Sequence, residues 1–260
     1  MKYLLKKISK YVYPQYFNHC KSILDKETQK KISCVQNTIL QNIPDSYYTV
    51  YSKSETSYWA HIPGWILQKT PNNRNINVLD VGSAYGTLSV FTKKYFPMSN
   101  VYAVDFMDCF CPKNLFNKLK INFALNNFET DQIPWNIKFD VIIFTEILEH
   151  FNFHPVDALK KISLLLKDSG ILYLTTPDAK EWGKTTKYYK ELSNIPTVHN
   201  ALNKVNNQKN KLDIVDAHIW HYSVEELLHV LYESKLIPIE FQYSPGYNAR
   251  HFNLAIKKKI

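Results

Sequence analysis

The sequence predicts an α/β protein with a doubly wound, seven-stranded and mostly parallel sheet. A short apolar run over residues 78–81 leads into a loop of small residues and then into a helical pattern. Four further apolar runs alternate with helical segments, which is typical of parallel sheets. Two last runs enclose the turn sequence Ser244-Pro-Gly-Tyr-Asn and predict an antiparallel C-terminal hairpin, which completes the seven strands.

An N-terminal helical segment, residues 1–75, is predicted to precede the sheet. Apolar side chains recur at helical spacing over residues 1–12, with lysines on the other face, and Pro14 ends that pattern. This basic helix is expected either to pack on the main domain or to touch a membrane surface or a partner. A polar turn over residues 70–75 marks the predicted boundary with a domain of residues 76–260.

The strands and helices of this domain follow in regular order. The strands are predicted at 78–81, 100–104, 120–124, 139–144, 171–175, 237–243 and 251–257, and the helices at 87–96, 114–119, 155–166 and 223–234. Ser223 and Glu226 form a capping-box pattern at the start of the last helix. Residues 179–216 are polar and do not fit the alternation. We expect them to form a substrate lid, with a disordered surface loop as the alternative.

Composition limits the class of protein. The chain has 260 residues, of which 45% are apolar, so it can build a full core. No apolar run approaches the roughly 20 residues of a transmembrane helix, and the lysines near the start argue against a secretory signal. The four cysteines form no C-x-x-C pair. A zinc site is therefore not expected, and the simplest account is a reduced, cytoplasmic protein.

The net charge of +9 comes from the two ends of the chain. Residues 1–31 hold eight lysines against two acidic residues, and residues 257–259 are all lysine. Arg74 and Arg250 are the only arginines, although arginine is the residue that nucleic-acid readers use for bidentate contacts. The composition therefore does not favour sequence-specific binding of nucleic acid.

The loop after the first strand has the pattern of a nucleotide pocket. Asp80 lies at the end of the strand, and Gly82-x-Ala84-x-Gly86 follows with Ser83 inside it. Small residues let the backbone approach a ligand, and the next helix presents free N–H groups. The last glycine of a dinucleotide fingerprint is missing, and Asp80 would repel a pyrophosphate. We therefore expect a ligand with positive charge, the alternative being an ordinary strand, turn and helix without a ligand.

This stretch resembles motif I of the class I S-adenosylmethionine-dependent methyltransferases, D-x-G-x-G-x-G, with Ala84 in place of the middle glycine. Residues 139–150 and 169–178, which read FDVIIFTEILEH and SGILYLTTPD, resemble the type-11 and type-12 subgroups of that family. The resemblance covers residues 76–178. It implies a Rossmann-like sheet, methyl transfer, and S-adenosyl-L-methionine as cofactor, a ligand with an ammonium and a sulfonium group.

Strand ends and the resemblance together indicate the cofactor-binding residues. Asp105 lies about 20 residues past the glycine loop, where a carboxylate accepts hydrogen bonds from a ribose; its alternative role is to cap a turn. Phe106 is expected to cover the adenine. The resemblance implies that residues after strand three hold the adenine edge and that strands four and five frame the methyl group. The candidates are Asp80, Gly82, Ser83, Ala84, Gly86, Asp105, Phe106, Asn126, Asn127, Glu129, Thr145 and Glu146.

Methyl transfer requires an aligned nucleophile and a group that accepts one proton. His150 lies just past strand four and is the candidate general base for a hydroxyl acceptor, with a histidine bonded to the backbone as the alternative. Glu146 would bind the amino-acid end of the cofactor or orient His150. His218 and His221 are further catalytic candidates from the other side of the cleft.

The sequence Glu146-x-x-Glu149-His150 also permits a divalent-metal site. Two carboxylates and an imidazole suit Mg²⁺, Mn²⁺ or Zn²⁺. Ubiquinone-pathway O-methyltransferases and small-RNA 2′-O-methyltransferases have a similar E-x-x-E-H, and so do many metal-free relatives. The three residues are therefore conditional metal ligands.

Three functions compete. The first is O-methylation of a small metabolite, such as a sugar or another biosynthetic intermediate, with N-methylation also open. The second is methylation of RNA, suggested by the basic ends and the E-x-x-E-H sequence. The third is a cofactor-binding partner subunit without catalysis. The fold does not decide among them, because the acceptor is selected by the site and not by the sheet.

Overall fold

The structure is a computed structural model that describes residues 24–43, 46–70, 75–185, 187–201, 215–245 and 250–259. The basic helix predicted over residues 1–12 lies outside these ranges. Within them, no helix has both the length and the apolar character needed to cross a membrane.

A seven-stranded sheet forms the centre of the described chain. Its strands are β1 (Asn77–Val81), β2 (Asn100–Asp105), β3 (Asn122–Leu125), β4 (Phe139–Thr145), β5 (Leu166–Pro177), β6 (Leu236–Ser244) and β7 (His251–Lys258). Their order in the sheet is β3-β2-β1-β4-β5-β7-β6. The first five strands are parallel, and β7 is antiparallel to β5 and β6. The predicted mostly parallel sheet with a C-terminal hairpin is confirmed.

Helices cover the sheet. The main described helices are α1 (Lys26–Asn42), α2 (Ser46–Tyr58), α3 (Ile62–Lys69), α4 (Thr87–Tyr95), α5 (Lys113–Leu119), α6 (Val156–Leu165), α7 (Ala179–Trp182) and α8 (Val224–Glu233). Capping side chains mark the start of α1, α7 and α8. Asp25 caps α1 by accepting from two backbone N–H groups of its first turn. Ser223 and Glu226 form the predicted capping box at α8.

Hydrophobic cores lie on both faces of the sheet. On one face α1, α2 and α3 pack with α4 and α5 over the first strands, and Ile39, Trp65 and Phe91 are buried there. On the other face α6 and α8 pack over β4, β5 and β6, with Trp220 at the centre of that layer. The N-terminal helices therefore share a core with the sheet. The domain boundary at residues 70–75 stays a prediction.

Two strands begin more than one residue away from the predicted start. β3 starts at Asn122 and not at residue 120, because Lys120 adopts a left-handed conformation, with φ of 55°, as the C-cap of α5. β5 starts at Leu166, directly after α6, and a register shift between Phe139 and Val141 accommodates the extra residues.

The carboxyl ends of the parallel strands meet at one edge of the sheet. Thr145 at the end of β4 pairs with Thr175 near the end of β5. Because β7 runs in the opposite direction, its first residue, His251, lies at this same edge and pairs with Pro177. The loops that leave this edge form the site described below.

The described part of residues 179–216 packs against the main core. It opens with the short helix α7, and Leu192 and Ile195 are buried in the layer over β4 and β5. The backbone N–H of His154 donates to the carbonyl of Pro196 at 2.8 Å. The substrate lid and its alternative, a disordered surface loop, both stay predictions for residues 179–216.

Candidate active site

A cavity of about 250 Å³ opens at the carboxyl edge of the sheet. The loops after β1, β2, β3 and β4 form its walls, at the place where doubly wound sheets bind their ligands. Predicted site residues in its lining are Gly82, Ala84, Asp105, Phe106, Asn126, Asn127, Glu129, Thr145, Glu146 and His150. The structure therefore brings together residues that are far apart in the sequence.

A smaller cavity of about 30 Å³ adjoins the first. The two share the glycine loop and the end of β4 in their walls, so they lie side by side. Asp80 and Ser83 line the smaller cavity. Gly86 lines neither cavity; it is the N-cap of α4 and shapes the loop from behind.

The glycine loop has a backbone conformation that few residues tolerate. Gly82 and Gly86 have φ of 68° and 72°, in the left-handed region. A Cβ atom on Gly82 would clash with the side chain of Ile147, and one on Gly86 with the ring of Phe116. Ala84 also has a positive φ, of 44°, so it keeps the backbone shape of the glycine that it replaces.

Asp105 joins the glycine loop to the end of β2. One carboxylate oxygen accepts from the backbone N–H of Ala84 at 2.8 Å, and the other accepts from that of Met107 at 3.1 Å. Burial raises the pKa of this carboxyl, and the backbone hydrogen bonds oppose that shift. Because Asp105 also lines the cavity, it caps a turn and can reach a ligand at the same time.

Asp80 lies beneath the glycine loop, away from the larger cavity. Its carboxylate accepts from the hydroxyl of Ser89 at 2.6 Å. Burial raises the pKa of Asp80 to about 7, while the bond from Ser89 opposes the shift. A cation in the adjoining cavity would favour the charged form of this carboxylate.

The residues predicted to hold the adenine have partners within the protein. Asn126 donates its amide to a backbone carbonyl at 3.0 Å, but its Oδ1 is buried without a partner. Asn127 accepts from the backbone N–H of Glu129. Glu129 in turn accepts from the N–H groups of Asn152 and Phe153, and burial raises its pKa to about 7. Among these three, Asn126 Oδ1 is the atom most clearly available to a ligand.

Phe106 is 47% exposed at the rim of the larger cavity. Met107 and Phe110 extend this apolar wall. An exposed aromatic ring at a cavity rim is suited to stack on a planar base.

Glu146 follows β4 in a strained conformation, with φ of 56°. Its backbone N–H donates to the carbonyl of Thr175 at 3.0 Å, which holds that conformation. One carboxylate oxygen lies 2.8 Å from Nδ1 of His251, an ion-pair contact without hydrogen-bond alignment. The carboxyl of Glu149 lies beside this carboxylate and, when protonated, can donate a hydrogen bond to it.

Four histidines gather at this edge of the sheet: His150, His218, His221 and His251. The ring centroids of His150 and His221 lie 4.7 and 5.0 Å from that of His218. Trp182 packs against His218, His221 and His251. The three histidines predicted from sequence are therefore neighbours, and His251 joins them.

Hydrogen bonds determine which nitrogens of two of these rings carry a proton. Nδ1 of His221 lies 2.8 Å from the carbonyl of Gly183, which can only accept, so this nitrogen donates. Neutral His221 then accepts at Nε2, which lies 2.7 Å from Nδ1 of His218. His218 therefore donates from Nδ1, and its Nε2 keeps a free lone pair when the ring is neutral.

Burial keeps three of these imidazoles neutral near pH 7. It lowers the pKa of His150 and His221, and it lowers that of His218 to about 4, with further lowering from His150 and His221. Asp216, whose carboxylate lies 3.7 Å from Nδ1 of His150, opposes the shift of His150. Neutral imidazoles can accept a proton or bind a metal.

Glu149, His150 and His218 could hold a divalent metal. Each offers a ligand atom, and these atoms lie within 4.8 Å of one another. Glu149 is 1% exposed, and one of its oxygens has no partner. Burial, followed by the charge of Glu146, raises the pKa of Glu149 well above its ordinary value. The sequence placed Glu146 in this ligand set, whereas the structure groups His218 with the other two. Glu146 lies beside Glu149 and also contacts His251 of β7.

The site also contains residues that the sequence did not predict, among them His251, Asp216 and Glu55. His251 could have been found from the hairpin, because an antiparallel strand begins at the edge where parallel strands end. Asp216 lines the larger cavity, and Glu55 lines the smaller one. Neither has a local sequence signal, since each reaches its cavity through long-range packing.

The comparisons with known proteins agree with this geometry. Residues 58–234 match a family model described as "Methyltransferase domain", which covers more than half of the chain. The ribosomal RNA small subunit methyltransferase G of Malacoplasma penetrans is 27% identical over 188 residues, which are 68% of this chain and 72% of that protein.

Solved structures share the fold. The 1,6-didemethyltoxoflavin-N1-methyltransferase of Burkholderia thailandensis has a TM-score of 0.56 at 13% identity, over 90% of this chain and 91% of that one. The magnesium protoporphyrin IX methyltransferase of Synechocystis PCC 6803 has a TM-score of 0.56 at 12% identity, over 90% of this chain and all of that one (100%). Sheet order, glycine loop and family match agree, and the chain belongs to the methyltransferase-domain family, as a class I S-adenosylmethionine-dependent methyltransferase.

Proposed function

We propose that this methyltransferase methylates a hydroxyl group of a small metabolite, such as a sugar or another biosynthetic intermediate. The observation that carries the proposal is a neutral imidazole in the cavity wall with a second neutral imidazole against it. His150 lines the cavity, and His218 beside it has a free Nε2. A hydroxyl acceptor must lose its proton as the new bond forms, and a neutral imidazole can take that proton.

In the proposed complex the cofactor lies across both cavities. Asp105 accepts from the ribose hydroxyls, Phe106 covers the adenine, and Asn126 Oδ1 accepts from the adenine amino group. Asn127 and Glu129 shape the wall behind the base. The amino-acid end then lies along the glycine loop, beside Asp80, Ser83 and Ala84. Support comes from the lining of the two cavities and from the unpartnered atoms in them.

The bound cofactor supplies the activated methyl group, and the chain supplies alignment and a proton acceptor. We propose that His150 accepts the proton of the acceptor hydroxyl and that His218, whose ring packs against His150, is the second candidate base. Glu146 and Thr145 lie at the end of β4, where the two cavities meet, and orient the groups around the methyl. Trp182 and residues of the predicted lid would exclude water from the acceptor.

The chemistry of the acceptor side favours a small molecule. The imidazoles and Trp182 present aromatic surface without net charge. Arg250 is the one arginine among the described residues, and it is held 2.5 Å from the buried Asp178. Guanidinium groups for phosphate contacts are therefore not offered at this side of the described site.

RNA is the second candidate acceptor. The relative from Malacoplasma penetrans is named for ribosomal RNA, and its identity of 27% is higher than that of the solved structures named above. The lysines at both ends of the chain could contact phosphates. Such binding would weaken steeply as salt is added.

Transfer of a radiolabelled methyl group distinguishes these acceptors. The protein is incubated with methyl-labelled S-adenosylmethionine and either a small-molecule extract or total RNA. We expect label in the small-molecule fraction, in an ether and not in an ester or an amine, and none with His150→Ala above background. Label found only in RNA, and lost as salt is added, would overturn the proposal and support the second candidate.

A further inference from the structure

Three carboxylates line the smaller cavity. Asp80 and Glu146 come from the sheet, and Glu55 comes from α2 in the N-terminal segment. Glu55 is only 3% exposed. The described lining contains no lysine or arginine, so no side-chain cation balances these acids within the cavity.

Hydrogen bonds hold Glu55 in a defined orientation. Its Oε1 accepts from the amide of Gln36 at 2.8 Å, the hydroxyl of Thr87 at 3.1 Å and the hydroxyl of Tyr48 at 3.3 Å. All the described bonds to this carboxylate fall on Oε1, which leaves Oε2 for a ligand in the cavity. Burial raises the pKa of Glu55 to about 7, a cost that a bound cation would remove.

A second observation points to a ligand in this cavity. Ser83 is 7% exposed and lines the cavity, and its Oγ is buried without a hydrogen-bond partner among the described residues. Buried polar atoms are normally satisfied, so an unsatisfied hydroxyl beside three acids indicates a missing group. The volume of about 30 Å³ accommodates a group of the size of a water molecule or an ammonium.

We propose that Glu55 is a cofactor-binding residue that receives the α-ammonium group of S-adenosylmethionine together with Asp80 and Glu146. The inference rests on the proposed placement of the cofactor across the two cavities. The ammonium is the group that fits, because it carries charge and donates hydrogen bonds, whereas the sulfonium has no N–H to donate. The N-terminal segment is then a part of the cofactor site.

Calorimetry on the full chain with two probes tests this inference. S-adenosylhomocysteine carries the ammonium, and 5′-methylthioadenosine lacks the whole amino-acid end. Glu55→Gln keeps the shape and the acceptor of the three hydrogen bonds but removes the charge. We expect it to weaken the binding of S-adenosylhomocysteine by about ten- to hundred-fold and to leave the affinity for 5′-methylthioadenosine unchanged. Glu27→Gln, on the exposed side of α1, is the matched control and should change neither affinity.

The outcomes separate the inference from the proposal beneath it. If the wild type binds neither probe, the placement of the cofactor is wrong. If Glu55→Gln binds S-adenosylhomocysteine as tightly as the wild type does, the inference is overturned. It is also overturned if the variant loses affinity for both probes by the same factor, because Glu55 then has only a structural role. Melting temperature monitors folding, and it should not fall, because a buried charge has been removed. Glu55→Asp gives a second measurement, because it keeps the charge but moves the carboxylate back from the cavity. It should again weaken the binding of S-adenosylhomocysteine only.

Discussion

Asp105 holds the glycine loop and also lines the cavity, so its removal should weaken cofactor binding in two ways. Asp105→Ala is expected to weaken binding of S-adenosylhomocysteine by about ten- to hundred-fold, because bonds to the ribose and to the N–H of Ala84 are lost. Calorimetry measures the affinity, and Asp108→Ala, from an exposed ion pair with Lys113, is the control. An unchanged dissociation constant in a folded variant would show that Asp105 only shapes its turn.

His150 is the residue on which the proposed proton transfer depends. His150→Ala should lower turnover by about 10²- to 10⁴-fold with little change in cofactor affinity, since general-base assistance is worth that much. His229→Ala, on the outer part of α8, is the matched control. Turnover is measured per folded molecule beside the melting temperature. If the folded variant keeps full turnover, the base is His218 or His221, or lies in the acceptor.

The pH dependence of turnover follows from the direction of the pKa shifts. Burial lowers the pKa of His150 and His218 below 6.5, so both rings stay neutral in weak acid. Turnover should therefore fall only below pH 6.5. The unfolded chain binds these protons more readily than the folded chain. The free energy of unfolding is therefore highest above pH 6.5 and falls as pH drops below that value. A rate profile with its acid limb above pH 6.5 would contradict the assignment.

A metal at Glu149, His150 and His218 would change these forecasts. Chelator would then inactivate the wild type, and Glu149→Ala would damage turnover as much as His150→Ala. With His150 as a metal-free base, we expect chelator to leave turnover unchanged. The high pKa of Glu149 means that metal binding would release a proton and strengthen with rising pH.

At the scale of elements, the turn between β1 and α4 is the most constrained. Gly86→Ala places a methyl group against Phe116 in a left-handed backbone and should destabilise the fold by about 1–3 kcal/mol. Gly64→Ala in α3 is the matched control, because no atom lies within 4 Å of its added methyl. It should stabilise the fold by up to about 1 kcal/mol. Denaturant unfolding measures the free energy of unfolding of both variants. Equal changes in the two would show that the backbone at Gly86 is not specially constrained.

At the scale of the whole molecule, residues 179–216 contact both the core and the cavity. Asp216 lines the cavity, whereas Leu192 and Ile195 are buried in the core. Replacing residues 187–214 with a short Gly–Ser linker should abolish methyl transfer but spare cofactor binding, because the glycine loop and the end of β2 remain. The melting temperature should fall, and S-adenosylhomocysteine should still raise it. Retained transfer with normal acceptor affinity would contradict the lid.

The described N-terminal helices share a hydrophobic core with the sheet. The family match begins at residue 58, after most of α2, yet Tyr51 and Glu55 of α2 line the cavities. A chain that lacks these helices would leave Phe91 of α4 without part of its cover. Variants that test the site are therefore best made in the full chain.

The sequence by itself determined the features that depend on neighbouring residues. Apolar runs predicted the strands, small residues at Gly82 and Gly86 predicted the loop, and Ser223 with Glu226 predicted the start of α8. These signals are local, because backbone conformation and capping are decided within a few residues. The position of Asp105 after β2 belongs with them, since parallel strands end at one edge.

Only the tertiary structure decided which acidic side chains contact which histidines. The sequence grouped Glu146 with Glu149, and the fold keeps them together but also brings His251 to Glu146 and His218 to Glu149. Glu55 likewise reaches its cavity through the packing of α2. Partner choice and pKa depend on burial and on charges brought from distant parts of the chain, and those are known only once the helices have packed on the sheet.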